Sequence, residues 1–201
     1  PLADFLGPGA PPVHYVRFGV DHDFFRPAPY PERPLVVSVG GDRDRDPETM
    51  LRAMATVRRA RPDVDIVVQS KTTLAPPAGV TVIPYLTHVE LRDLYARASV
   101  VVLATRPNLH VSGMTVGLEA MATGRPLVIT RTPGMDDYFG GTSAAHLVDV
   151  GDADALGRET LALLEDPESA AAEGGLARAH VEAGFTTAHL AARIAGVIAG
   201  R

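Results

Sequence analysis

Cysteine is absent from the 201 residues, which excludes a disulfide framework, a thiolate metal site and a catalytic thiol, and suits a reducing cytosol. A basic excess is missing too. Nineteen Lys and Arg face 24 Asp and Glu for a net charge of -5, so bulk electrostatics would not hold nucleic acid or an acidic membrane, although a local basic pocket stays open. Apolar runs such as Val100 to Ala104 stop far short of the roughly 18 residues of a membrane helix. The 19 Gly and 17 Pro are spread through turns, so there is no low-complexity tract and disorder is not expected. Several chemical signatures are also lacking. The seven histidines form no H-x-H or H-x-x-x-H pair, which argues against metal ligation. No G-x-S-x-G elbow surrounds Ser112.

What is present is a chain 46% apolar and 21% charged, a balance that fits one α/β domain. "LVVSV" at 35–39 runs into Gly40-Gly41, and "PETMLRAMATVRRA" follows with apolar residues at helical spacing. The strand, loop, helix pattern recurs: "DIVVQS", then "VTVIPYL", then a helix opening at Thr87, where Glu90 three residues on completes a capping box. "SVVVLA" at 99–104, a helix from about Met114 to Thr123, "PLVIT" at 126–130 and "HLVDV" continue it, and three Ala-rich helical stretches run from Asp152 to the end. Strands apolar on both faces that alternate with helices imply a parallel sheet covered by helices on both faces. Residues 1–30 are Pro-rich and open with no initiator Met or leader, so they read as the interior of a longer protein. The expected division is 1–30 the end of an N-terminal domain and the interdomain linker, 31–184 the sheet domain and 185–201 a terminal amphipathic helix.

Open parallel sheets bind ligands at the carboxyl ends of their strands, which directs attention to loops starting at Gly40, Pro84, Thr105 and Arg131. Gly40 and Gly41 let backbone approach an anion, and Arg43 and Arg45 stand just before a helix N-terminus, as in a phosphate site; a solvated turn of alternating charges is the competing reading. The third glycine of G-x-G-x-x-G and the Lys of a P-loop are both missing, so neither a dinucleotide nor ATP hydrolysis is indicated. Ser112 and Gly113 open a second helix whose free amides suit phosphate. Glu119, farther along that small-and-apolar helix, needs a partner: a backbone amide, an Arg, or a ligand's hydroxyl pair.

Together these residues resemble the nucleotide-sugar-binding C-terminal domain of retaining GT-B glycosyltransferases of group 1, a set that includes many bacterial sugar and glycan transferases. "VRFGVDHDFFRP" is similar to the segment leaving the N-terminal half, "SVGGDRDRDPETMLRA" to the first strand and phosphate loop, and "VTVIPYLTHVELRDLYARASVVVLAT" to the base-side loop and helix. "SGMTVGLEAMATGRPLVITRTPGMDDYF" is the most specific stretch, and "LVDVGDADALGRETLALLED" matches the closing strand and helix. The resemblance implies a Rossmann-like half of a GT-B fold that grips a nucleotide diphosphate sugar, while an N-terminal half holds the acceptor; since no paired carboxylates or histidines stand where a metal would bridge the phosphates, binding without cofactor or metal is expected. It assigns the ribose hydroxyls to Glu119 and the diphosphate to Arg45 with Arg43, beside Gly40 and Gly41. The distal phosphate falls to the amides of Ser112, Gly113, Met114 and Thr115, and the base to the main chain at Tyr85 and Leu86. No catalytic side chain is implied, because in this group the leaving phosphate is thought to help deprotonate the acceptor.

One departure stands out. A second Glu, expected with seven residues between it and Glu119, is replaced by Val111, as in a subset with Ser-Gly at the helix start, and the adjacent His110 has no motif support. A cytoplasmic setting is expected, with peripheral membrane attachment open to the full-length protein. Two alternatives stand beside it: a nucleotide-sugar epimerase, for which only His110 could act as acid or base, and a receiver-like module, which lacks a phospho-acceptor Asp where Ala104-Thr105 stand.

Overall fold

The computed structural model describes residues 2–200. Six parallel strands form one sheet: β1 (Leu35–Ser38), β2 (Asp65–Gln69), β3 (Val80–Ile83), β4 (Val100–Leu103), β5 (Leu127–Thr130) and β6 (Ala145–Val148). Their order is β3-β2-β1-β4-β5-β6. The helices are α1 (Leu2–Leu6), α2 (Pro47–Ala60), α3 (His88–Arg97), α4 (Met114–Ala122), α5 (Asp136–Phe139), α6 (Ala153–Glu165), α7 (Pro167–Gly184) and α8 (Thr187–Ile198).

Successive side chains of a strand point to opposite faces, and the apolar strands exploit this by feeding two cores. Val37, Val101 and Leu103 pack with Leu94, Leu118 and Val181 on the face covered by α3, α4 and α7. Val36, Val100 and Val102 pack with Met54, Val57 and Leu156 on the face covered by α2 and α6. The expected parallel, doubly covered, Rossmann-like sheet is what the chain forms. Helix starts follow local chemistry. Asp46 caps α2 by accepting from Thr49 N at 3.1 Å, with Pro47 in the first turn, and the Thr87–Glu90 capping box opens α3 as read from the sequence. The short helix α5 was not anticipated; it buries Tyr138 and Phe139.

The second half of the Pro-rich leading segment packs on the sheet domain. Val20 and Phe25 are buried in the α3, α4, α7 core, and Val20 forms a parallel bridge with Thr186. Two arginines pin this segment. Arg125 is 1% exposed and donates to the carbonyls of Tyr95 (3.1 Å), Ala96 (2.7 Å), Ala28 (3.1 Å) and Pro29 (2.8 Å). Arg178 donates to those of His22, Phe25 and Ala122 at 2.8 to 3.0 Å. Helix ends leave carbonyls without partners, and these guanidinium groups complete α3 and α4 while tying the leading segment to them. Helix α8 buries none of its side chains.

Candidate functional site

The sheet order reverses between β1 and β4, which opens a crevice beyond their carboxyl ends. The β1 loop is laced to the end of β4: Asp46 N donates to Ala104 O at 2.9 Å and Arg106 N to Asp44 O at 2.8 Å. Gly40 adopts φ +136° and Gly113, which caps α4, φ +98°, and both conformations favour glycine. Space demands it as well. A Cβ on Gly40 would overlap Arg45 Nε, and one on Gly113 would come within 2.6 Å of an Arg45 Nη. The guanidinium of Arg45 therefore lies between the loop after β1 and the start of α4. Its Nη1 reaches Ser112 Oγ at 3.4 Å, while its Nε, sealed from solvent, has no partner among the described residues. Burial lowers the Arg45 pKa, an effect opposed by Asp42.

Asp42 accepts from Ser112 Oγ at 2.8 Å. Burial pushes its carboxyl up, but Ser112, the Asp44 amide and Arg45 outweigh that and hold it low. His110 Nε2 lies 2.9 Å from Asp44 and 3.6 Å from Asp42. Sequence spacing argued against metal ligation, yet folding brings one ligand atom from each of these three side chains within 4.8 Å of the others. The contacts between them already give each a partner.

Val111, where the resemblance leads one to expect Glu, has φ +55° and is the one non-glycine residue with positive φ among those described. A β-branched residue in the left-handed region costs about 1 to 3 kcal/mol. Neighbouring bonds hold the turn: Met114 N donates to Val111 O at 3.1 Å and Ser112 N to Asn108 Oδ1 at 3.0 Å. This turn sets Ser112 and Gly113 at the head of α4, whose opening amides have no side-chain cap. Met114 is half-buried and Thr115 exposed in its first turn.

Glu119 is 9% exposed and accepts one bond, 3.2 Å, from the hydroxyl of fully buried Tyr95. Neither partner weighed from the sequence within the chain, an amide or an Arg, is the one found. Burial raises its pKa to about 7, with the Tyr95 bond pulling the other way. Tyr95 itself is pushed well up by burial and by Glu119.

Two concavities share the Gly40-Gly41 wall. A groove of about 290 Å³ is lined by Gly40, Gly41, Gln69, Tyr85, Leu86 and Val116 among others, with Tyr85 exposed at its edge. A more polar hollow of about 230 Å³ is lined by Gly41, Asp42, Arg43, Arg45, Lys71 and Arg106 among others. Arg43 is exposed and 3.6 Å from Asp44. Lys71 and Arg106 were missed in the sequence reading. The available signal was position, since each is the first cation after the end of a strand, β2 or β4.

A Rossmann-like sheet with a cation-rich crevice at its switch point is the architecture of one half of a GT-B glycosyltransferase. The family model described as "Glycosyl transferases group 1" matches residues 33–166, and the chain belongs to that family. It is 30% identical over its whole length to the GDP-mannose-dependent alpha-(1-6)-phosphatidylinositol monomannoside mannosyltransferase of Mycolicibacterium smegmatis, of which it covers 59%. It is 27% identical, over 94% of its length, to the GDP-mannose-dependent monoacylated alpha-(1-6)-phosphatidylinositol monomannoside mannosyltransferase of Corynebacterium glutamicum, covering 56% of that protein. The chain thus spans little more than half the length of these curated relatives. Among solved structures, sucrose-phosphate synthase from Thermosynechococcus elongatus matches 95% of the chain with 53% of its own, at TM-score 0.77 and 23% identity. Among the described residues, no helix is long and apolar enough to cross a membrane.

Proposed function

We propose that this chain is the donor-binding half of a retaining glycosyltransferase, and that its donor is a nucleoside diphosphate sugar of the GDP-mannose type. In this reading residues 1–30 are the linker and the end of a preceding half, 31–184 the donor-binding unit and 185–201 its terminal helix. The observation that carries it is the sealed, unpartnered Nε of Arg45, held between two positive-φ glycines at the switch point, since a buried donor left unmet costs about 1 to 3 kcal/mol unless a ligand meets it. Arg45 and the first-turn amides of α4 take the diphosphate, Glu119 takes the ribose hydroxyls, and the groove beside Tyr85 and Leu86 takes the base. The relatives' printed dependence on GDP-mannose supports the choice of donor.

Chemistry in this reading is charge stabilisation. As the glycosidic bond breaks, charge gathers on the leaving phosphate, where Arg45 and the helix amides are already oriented. The same phosphate accepts the acceptor's proton on the face from which it departs, which retains configuration. The acceptor is held by a second half beyond these residues, so the 201 residues bind donor and transfer nothing alone, since effective molarity is lost when one wall of the cleft is missing.

Calorimetry with GDP, UDP and ADP in chelator tests the reading. Binding without divalent metal, tightest for GDP, is expected, and no transfer product from GDP-mannose with a phosphatidylinositol mannoside acceptor. Failure of every diphosphate to bind overturns the donor site. Binding only with magnesium or manganese overturns the metal-independent part and turns attention to Asp42, Asp44 and His110. Robust transfer would make the active site complete within these residues.

A further inference from the structure

Lys71 is the only lysine in the sequence; the rest of the 19 basic side chains are arginines. The distinction is physical. A guanidinium is a rigid fork suited to fixed oxygen partners, and Arg125 and Arg178 use it on backbone carbonyls. An ammonium is a compact charge on a flexible stem and serves phosphate as a movable point charge.

Lys71 stands two residues beyond β2, on the wall shared by the polar hollow and the groove. Its stem runs across Gly41: a Cβ built there would lie 3.4 Å from Lys71 Cε and 3.6 Å from Cδ. The side chain is exposed, and among the described residues it has no hydrogen bond or ion pair. Arg45 lines the same hollow, and its Nε is sealed and unpartnered among the described residues. Arg43 is drawn toward Asp44; of the hollow's two cations without a side-chain partner among the described residues, Lys71 and Arg106, Lys71 is the one whose stem lies over the glycine.

We propose that Lys71 is the second cationic arm of the diphosphate clamp, closing over Gly41 from the end of β2 while Arg45 stays fixed from the β1 loop. This rests on the donor-binding reading above. A diphosphate carries more charge than one guanidinium neutralises, and the hollow's lining includes four cations against one carboxylate, Asp42. The arm makes the site selective for two linked phosphates over one.

The test is calorimetric titration of GDP, GMP, UDP and UMP into the parent protein, K71A, K71R and R45A at low ionic strength. For K71A the preference for diphosphate over monophosphate of the same base is expected to fall roughly tenfold, with K71R recovering part of it and salt shrinking the loss. Because the side chain is exposed, K71A should melt as the parent does. An unchanged preference overturns the proposal. So does an equal loss for mono- and diphosphate, which would put Lys71 on the base or the first phosphate. If the parent binds and depends on Arg45 but not on Lys71, this proposal alone fails; if the parent binds no diphosphate, the donor reading fails with it.

Discussion

Arg125 and Arg45 lie toward opposite ends of one sheet, and each has guanidinium nitrogen withdrawn from water. Arg125, where the strands begin, meets four carbonyls. Arg45, where they end, has one long contact to Ser112 and a sealed Nε with no partner among the described residues. Burial depresses both pKa values, that of Arg125 to about 10. The first guanidinium is a peg, since its four bonds join the leading segment to the end of α3. The second is unfinished in the same sense that the Glu119 carboxylate is. Under the donor-binding proposal, the donor left unmet at this end of the sheet belongs to the ligand site.

The largest expected effect lies at the finished end. Arg125→Met strands four carbonyls and should lower unfolding stability by about 3 to 5 kcal/mol in urea titration, with nucleotide affinity of the folded fraction unchanged. Stability unmoved by the substitution would break the comparison, because Arg125 would then be no peg.

At the other end, Glu119 has a folded pKa of about 7 against an ordinary 4.5. Between those values the native state binds more protons than the unfolded chain, so stability falls as pH rises through the window, by up to about 3 kcal/mol from this group. Urea unfolding at pH 5 and pH 8 should show that loss in the parent and a flattened profile in Glu119→Gln. A ribose bonded to the carboxylate favours its charged form, so diphosphate affinity should rise with pH over the same range. An identical pH profile in the variant would mean that Glu119 is already ionised in the native state.

Arg45→Ala gives the smallest of the three. Diphosphate affinity should drop about tenfold to a hundredfold, or about 1.5 to 3 kcal/mol, with nucleoside binding spared. The melting temperature should hold or rise, since a sealed and unmet donor is removed. A large fall in melting temperature with affinity intact would make Arg45 a second peg.

The sequence revealed what is decided locally. Strands apolar on both faces, the Thr87–Glu90 box and the glycines after β1 are signals carried within a few residues, and they account for the parallel sheet, the start of α3 and the positive-φ turn at Gly40. Helix α5, at four residues, is too short to show a period. The rest of the site depends on strand order. Asp42 meets Ser112 and Asp44 meets His110 across more than 60 residues of chain because β1 and β4 are neighbours. Lys71 reaches the hollow because β2 lies on the other side of β1. Tyr95 is a plain core aromatic in the α3 pattern until the packing of α3 near α4 sets its hydroxyl on Glu119. The left-handed turn at Val111 breaks residue preference, so no propensity could have forecast it.

The crossing of Val20 and Thr186 has a mechanical consequence. Val20 N donates to Phe185 O at 2.8 Å and Thr187 N to Val20 O at 3.0 Å, so the leading segment and the start of the last helix are joined by a two-bond clip. Between that clip and β1 the segment is held again by Arg178 and Arg125, so a pull on the residues ahead of Val20 bears on the clip and on both guanidinium anchors before it bears on the loop after β1.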